Sequence, residues 1–539
     1  MIMKEDIKKL VEKAILDLQK KLILADFKIP EVSVDYPKVE EFGDYSTNIA
    51  MVLGKMLKKN PMEIAEALKL GFKDLKKPSF KNAFEKIEVV APGYINFYLS
   101  QKYLQDKVEE INKQKENFGN SEIGKEEKIN NEFISANPTG PLTVGNGRGG
   151  FCGDSISQVC RKAGFKVVNE YYVNDAGEQV MKLGHSVLKD SEAAYTGDYI
   201  DELNKKFGNL TDVKEIGEKS ATIVMDEIIK KVASEKMQIK FDMWFSEKSL
   251  HVDGYIDRAI EILKNKNLTK EEDGALWLKT TQFGDDKDRV LVKSNGEKTY
   301  FASDCGYILN KMDRGFSKFI EIWGADHHGY IKRFEAAARA IGFSGELKFI
   351  IVQLVRLVKD GKEARMSKRA GNVVYIDELI DNVGHDASRF FFVMYAPDSH
   401  MTFDLDLAKE RSEKNPVFYV QYAHARIHSI LAKVQSSKLK VQSKGDLSLL
   451  THEKELSLIK ELNKFPELVE EIAKSYEIHK LPYYAIKLAD KFHSFYNACK
   501  VLDKENLEMT SARLNLINAV KIVLAETLRL IGVSAPSKM

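Results

Sequence analysis

The stretch NNEFISANPTGPLTVGNGRGGFCGDSISQVCRKAGFKVVNEYYV, residues 130–173, constrains the fold of this chain more than any other. NNEFIS predicts a strand, GFCGDSISQVCRKAG a helix and FKVVNEYYV a second strand. Between strand and helix, the fourteen residues Asn137–Gly150 carry seven glycines and prolines, where an ordinary turn uses one or two. Strand, glycine-rich loop, helix and strand make a βαβ unit, the opening of a doubly wound parallel sheet. At the C-terminal edge of such a sheet, missing side chains let phosphate oxygens reach backbone N–H groups, and the helix dipole adds favourable field. A purely structural turn fits the stretch equally well on its own. The GK[ST] of a P-loop is absent, which disfavours a Walker-type ATPase.

The rest of the chain divides around this unit. Residues 1–120 mix amphipathic helices with the strand–turn–strand pattern IEVVAPGYINFYLS and read as a small α+β domain. QKENFGNSEIGKEEK reads as an exposed linker. Residues 121–404 alternate β-rich runs with helices, interrupted at about 182–265 by a charged helical insertion with no sheet pattern. RVLVKSNGEKTYFASD, FIEIWGADHHGY and KFIIVQLVRLV predict further parallel strands. Residues 405–539 are almost wholly helical and predict an all-α bundle. A length of 539 residues suits about three or four domains.

Composition narrows the partners. Lys+Arg 82 against Asp+Glu 80 gives a net charge of +2, so binding to a polyanion has to be local. Residues 411–539 hold 20 Lys+Arg against 14 Asp+Glu, a basic surplus at the C-terminal end. Cys152, Cys160, Cys305 and Cys499 are too scattered for a disulfide framework or a CxxC metal site and read as reduced, buried thiols. The N-terminus lacks an apolar signal-peptide core, and no run reaches the ~18 apolar residues of a membrane span, so a cytoplasmic protein without membrane association is expected.

A second loop carries chemistry. DGKEARMSKRAGNVVYIDELI, residues 360–380, sets Arg365, Lys368 and Arg369 around Met366-Ser367, between Gly361 and Gly371. Three cations in one loop suit a polyphosphate, and a cation that meets charge moving onto a leaving pyrophosphate favours the transition state over the ground state. In WGADHHGY the paired histidines lack the flanking ligands and the HxxxH spacing of a zinc site, so no resident metal is expected.

Together the two loops resemble the HIGH and KMSKS signatures of class I aminoacyl-tRNA synthetases, standing here as Thr143-Val144-Gly145-Asn146 and Arg365-Met366-Ser367-Lys368-Arg369. SANPTGPLTVGN, EYYVNDAGEQV, YFASDCGY, WGADHHGY, VQLVRLVKDG, MSKRAGN, NPVFYVQYAHARI and LRLIGVSAPSKM resemble segments of bacterial-type arginyl-tRNA synthetases, in that family's order. FGDYSTNIAM and APGYINFYLS resemble its N-terminal domain.

This resemblance implies a Rossmann-type catalytic domain over 121–404, flanked by a tRNA-binding α+β domain at 1–120 and an anticodon-binding helical domain at 405–539. It implies activation of L-arginine by ATP with Mg2+ and transfer to tRNA-Arg, by a monomer. Carried over residue by residue, Thr143, Asn146, Arg365 and Lys368 serve catalysis. Pro138, Gly140, Gly145, Met366 and Ser367 hold the phosphates, and Gly324, Asp326 and His327 line the ATP ribose and adenine side, although Asp326 fits the arginine pocket as well. Glu132, Ser135, Asn137, Tyr300 and Asp304 form the arginine pocket, with Asp304 on the guanidinium, Tyr300 as a wall and donor, and Glu132 and Asn137 on polar groups including the α-amino end. Tyr171, Tyr172, Asn174 and Asp175 end a strand at this edge and serve either core or ligand. Gln421, Tyr422 and Arg426 are candidates to meet tRNA.

One departure matters. The family pattern has histidines where this chain has Thr143 and Asn146, so a hydroxyl and an amide must supply the phosphate donors. Loss of one such donor commonly costs on the order of 3 kcal/mol, or ~100-fold in rate. Three readings follow: an active enzyme with a variant phosphate site, a non-catalytic RNA-binding relative, and an enzyme that hands arginine to another acceptor. Retention of Lys368, Glu132, Tyr300 and Asp304 favours the first.

Overall fold

The computed structural model describes residues 3–72, 83–175, 177–364, 374–436 and 445–539. In the N-terminal part, apolar residues at helical spacing in Met3–Lys20 (α1) bury Ile7, Leu10, Val11, Ala14 and Ile15. This helix packs on Pro61–Phe72 (α3), which with Ile49–Leu57 (α2) covers a three-stranded antiparallel sheet of Tyr45–Thr47 (β1), Phe84–Val90 (β2) and Tyr94–Leu99 (β3). The β2–β3 pair is the strand–turn–strand read from IEVVAPGYINFYLS. Ser100 caps Gln101–Gln114 (α4), its hydroxyl accepting from the Tyr103 N–H at 3.1 Å. The following segment is not a free linker. Phe118 is buried with its ring 6.2 Å from that of Phe465, and the Lys162 ammonium donates to the Asn120 carbonyl oxygen at 2.9 Å.

Lys128–Glu132 (β4), Val144–Lys162 (α5) and Lys166–Val173 (β5) form the expected parallel βαβ unit. The helix begins earlier than its apolar pattern suggests, because Thr143 and Asn146 build a capping box at its start. Gly145, Gly147 and Gly149, ahead of the expected helix, therefore lie inside α5 with Gly150 and Gly153, which were already read as helical. A Cβ on Gly147 would stand 2.4 Å from Ile376, one on Gly150 2.7 Å from Met237, and one on Gly153 2.5 Å from Phe133. These glycines serve close helix packing, not nucleotide approach.

The charged insertion is also corrected. Glu178–Leu188 (α6), Asp198–Phe207 (α7) and Val213–Ile223 (α8) are helical, but Met243–Ser246 (β6) pairs in parallel with β5 and forms an edge of the main sheet. After Glu247–Val252 (α9) and Tyr255–Asn265 (α10), Thr269–Glu272 (β7), Ala275–Leu278 (β8) and Arg289–Val292 (β9) make a small antiparallel sheet. The expected strand through TYFASD is a helix instead, Tyr300–Asp313 (α11), because the Thr299 hydroxyl caps its first turn by accepting from the Ala302 N–H.

Lys318–Gly324 (β10), Ile331–Ile341 (α12) and Glu346–Val352 (β11) complete the sheet, whose order β11-β10-β4-β5-β6 is parallel throughout. This is the doubly wound arrangement. KFIIVQLVRLV breaks after β11, and Val355–Lys359 (β12) joins Lys362–Glu363 (β13) and, beyond Ile376–Val383 (α13) and His385–Met394 (α14), Met401–Asp404 (β14) in a separate sheet.

After Leu405–Lys409 (α15), the chain is the expected bundle: Pro416–Ser436 (α16), Glu453–Asn463 (α17), Phe465–Ser475 (α18), Lys480–Ala498 (α19) and Leu507–Ile531 (α20). This bundle is locked to α5. The Lys162 ammonium pairs with Glu526 at 2.8 Å, and the Ser155 hydroxyl donates to the Ile531 carbonyl at 2.9 Å. Arg389 ion-pairs with Asp154 and donates to the same carbonyl, all three groups buried. The four cysteines are buried free thiols.

Candidate active site

The parallel sheet ends at a cavity of about 690 Å³, set at the C-terminal edge of β4, β5 and β10. Eleven of the residues singled out in the sequence line it, Tyr172 and Asn174 among them. Glu132 enters from the last position of β4, Ser135 and Asn137 from the loop that follows, and Asn146 from the first turn of α5. Tyr300 and Asp304 lie one turn apart on α11, while Gly324, Asp326 and His327 follow β10.

The backbone after β4 is bent for this purpose. Ile134 and Ser135 hold φ values of 68° and 40°, a left-handed conformation that a β-branched residue adopts only where packing imposes it. The bend lets the Ser135 hydroxyl donate to Glu132 at 3.1 Å and accept from the Tyr172 N–H at 3.0 Å. Ser135 thus orients the pocket's walls.

The pocket is strongly acidic. Glu132, Glu247, Asp304 and Glu321 all line it, and Lys311 is the buried cation among them, 2.8 Å from Glu132 and 2.7 Å from Glu321. Asp304 accepts from the Tyr330 hydroxyl, yet burial pushes its carboxyl up to about 7. Burial, reinforced by Asp304 and Asp175, lifts Glu247 to about 7 as well. A planar cation with several N–H donors relieves this arrangement by supplying charge and filling acceptor sites. Tyr300, 59 % exposed, stands at the rim, where a side chain on Gly177 would strike its hydroxyl at 2.6 Å.

Sequence reasoning missed Glu247, Glu321, Tyr307 and Lys311. Glu247 opens α9 inside the stretch read as a charged insertion, whereas Glu321 and Lys311 were visible as charges within the apolar runs FIEIWG and YILNKMD. Tyr171 is core, its hydroxyl donating to the Ala136 carbonyl at 2.8 Å, while Tyr172 and Asn174 line the cavity. Asp175 accepts from the Ser246 hydroxyl at 2.6 Å.

Other expected contacts fall elsewhere. Pro138 is buried, and Gly140 packs on the phenol of Tyr199, whose hydroxyl donates to the Thr139 carbonyl at 2.9 Å. The insertion therefore pins this loop through Tyr199. Gly145 is exposed, and a Cβ there would meet the Thr143 hydroxyl at 3.6 Å. Thr143 and Asn146 spend groups on each other: the Asn146 carbonyl oxygen accepts from the Thr143 N–H at 2.9 Å and from its hydroxyl at 2.8 Å. That box leaves the Asn146 amide out of the cap.

Arg365, Met366, Ser367, Lys368 and Arg369 lie outside the described residues. The segment that follows them is fixed to the first signature, since the Val144 N–H donates to the Val374 carbonyl at 3.0 Å and the Ile376 N–H to the Leu142 carbonyl at 2.9 Å. Among the described residues no group of three or more His, Cys, Asp or Glu is placed to hold a metal ion, and no helix is long and apolar enough to cross a membrane.

On the bundle, Gln421 is 9 % exposed and donates to Asp386 at 2.7 Å and to the Ser534 carbonyl at 3.0 Å, which commits its amide to the fold. The expectation of an RNA contact there is corrected. Tyr422 is 39 % exposed, and Arg426 donates to the hydroxyls of Tyr422 and Tyr496, each at 3.2 Å.

Comparison with known proteins covers nearly the whole chain. A family described as arginyl tRNA synthetase N terminal domain matches residues 4–99, tRNA synthetases class I (R), catalytic domain, matches 107–392, and DALR anticodon binding domain matches 420–539. Arginine–tRNA ligase of Listeria monocytogenes serotype 4b is 44 % identical, with all of both chains covered. That of Bacillus velezensis is 44 % identical over all of this chain and 98 % of its own. The solved arginyl-tRNA synthetase of Thermus thermophilus superposes with a TM-score of 0.77 at 21 % identity, covering both chains entirely, and shares the fold.

Proposed function

Because this chain belongs to the arginyl-tRNA synthetase family, we infer that the acidic cavity receives L-arginine and that its side toward Asn146 and Gly324 receives ATP. The enzyme is an arginine–tRNA ligase. An α-carboxylate oxygen of arginine attacks the α-phosphorus of ATP, the bond to pyrophosphate breaks, and arginyl-adenylate forms. A ribose hydroxyl of tRNA-Arg then attacks the carbonyl carbon and AMP departs.

The observation that carries this reading is the cavity itself, lined beside the first signature by Glu132, Glu247, Asp304 and Glu321, of which Glu132 and Glu321 pair with the buried Lys311 ammonium. Asp304 and Glu247 take the guanidinium, and Tyr300 closes over it. Glu132 and Asn137 take the α-ammonium end. The Asn146 amide reaches toward the phosphates, which accounts for a working site without the usual histidines. Asp326 and His327, both exposed at the open end, serve the nucleoside side of ATP better than the arginine pocket. Lys368 and Arg365 supply charge to the leaving pyrophosphate, with Mg2+ accompanying the nucleotide. Residues 1–120 and 405–539 hold the tRNA, with Tyr422 and Arg426 among the contacts. A cytoplasmic monomer completes the proposal.

Aminoacylation of tRNA-Arg with arginine, lysine and citrulline tests it. Charging with arginine and not with the other two is expected. Binding of tRNA without charging would favour the RNA-binding reading instead.

A further inference from the structure

We propose that Lys311 is a positioning residue for arginine: wholly buried under the pocket floor, it holds the Glu132 carboxylate in place as the receptor for the substrate's ammonium end. The inference rests on the reading of the cavity as the arginine site.

Lys311 has 0 % side-chain exposure, so it acts on substrate only through its neighbours. Its ammonium contacts Glu132 Oε2 at 2.8 Å and Glu321 at 2.7 Å. The other oxygen of Glu132 accepts from Ser135 at 3.1 Å, which fixes both ends of the carboxylate. The remaining groups around Glu132 leave it short of charge compensation. From α11 come the Tyr307 hydroxyl, at 2.7 Å, and Asp304; β5 brings Glu170 and Tyr172; β10 brings Glu321. Glu170 has its own cation, Arg314, and Tyr307 also lies 2.5 Å from Glu170. One hydroxyl proton serves one of these two carboxylates at a time. Arg314 acts on Glu132 by charge at a distance, and among the described residues Lys311 is the cation hydrogen-bonded to it. Without Lys311, Glu132 and Glu321 would be left as desolvated like charges, and such groups take up protons. A carboxyl that has taken up a proton no longer attracts an ammonium group.

The test measures arginine-dependent aminoacylation in full-length enzyme with Lys311 changed to Met, Gln or Arg, at several pH values. Wild-type charging in the same assay checks the functional reading separately. Both Lys311→Met and Lys311→Gln should raise the KM for arginine by about tenfold or more while the KM for ATP stays within about twofold. Their arginine KM should keep falling as pH rises beyond about 8, where that of the wild type has levelled off. Lys311→Arg, which retains the charge, should restore most of the affinity and the wild-type profile. Equal increases in both KM values with an unshifted pH profile would overturn the proposal, as would neutral variants matching wild type. If both neutral variants fail to fold while Lys311→Arg folds, the lysine serves stability alone and the proposal also fails.

Discussion

Asn146 turns its side-chain carbonyl oxygen onto the backbone N–H of Thr143, 2.9 Å away, and Thr143 answers with its hydroxyl, so the first signature is also a helix cap. Structural and catalytic duties of Asn146 therefore fall on different atoms. Asn146→Asp keeps the capping oxygen and replaces the amide with negative charge; thermal stability should hold while adenylate formation drops about 100-fold or more. Asn146→Ala should lose about 1 kcal/mol of stability and also slow adenylation. Unimpaired adenylation by Asn146→Asp, measured by pyrophosphate exchange with tRNA present, would remove the amide from the phosphate site.

Asp304 makes arginine binding depend on pH. Its carboxyl is held near 7, so the empty pocket keeps a proton that cationic arginine must displace. The arginine KM should fall as pH rises from about 6 to 8. Stability of the substrate-free enzyme should run the other way. Between the ordinary value of 3.8 and about 7 the folded protein holds a proton that the unfolded chain has released, so stability declines as pH rises through that window. Asp304→Asn should flatten this part of the pH–Tm curve and raise the arginine KM about 100-fold or more, leaving the ATP KM unchanged.

Glycines in and after the first signature should respond by position. Gly147→Ala and Gly153→Ala force a methyl into Ile376 and Phe133 and should cost about 1–3 kcal/mol each by thermal unfolding. Gly145→Ala meets only Thr143 at 3.6 Å and should leave stability intact or improve it by up to about 1 kcal/mol. Should Gly145→Ala destabilise as much as Gly147→Ala, packing does not distinguish them.

The two faces of α16 should separate in a tRNA-binding assay. Arg426→Ala removes an exposed cation and should weaken tRNA-Arg binding about tenfold, with arginine and ATP kinetics preserved. Gln421→Ala should instead lower Tm, by about 1–3 kcal/mol of stability, because Asp386 and the Ser534 carbonyl lose a partner. Strong tRNA loss from Gln421→Ala at unchanged Tm would contradict the internal role.

Arg389 joins three parts of the chain. Replacing it with Met strands the buried Asp154 carboxylate and should cost about 3–5 kcal/mol, read from denaturant unfolding.

The sequence by itself determined the βαβ opening, the parallel sheet, the helical C-terminal bundle and most of the pocket, because these rest on local periodicity and on motifs whose residue types match one chemistry. Glu132, Asn146, Tyr300 and Asp304, spread over more than 170 residues, could be gathered only by resemblance, and the fold brings them to one sheet edge. What tertiary structure alone decided was whom each group serves. Asn146 and Thr143 cap a helix through a contact only three residues long, which the signature reading passed over, whereas Gly147 admits Ile376 and Gln421 fastens Ser534 through contacts more than a hundred residues apart that leave no local signal. Glu247, Glu321 and Lys311 escaped for the same reason. A charge in an apolar run reads as an exception until the partner that neutralises it, on another element, is in view.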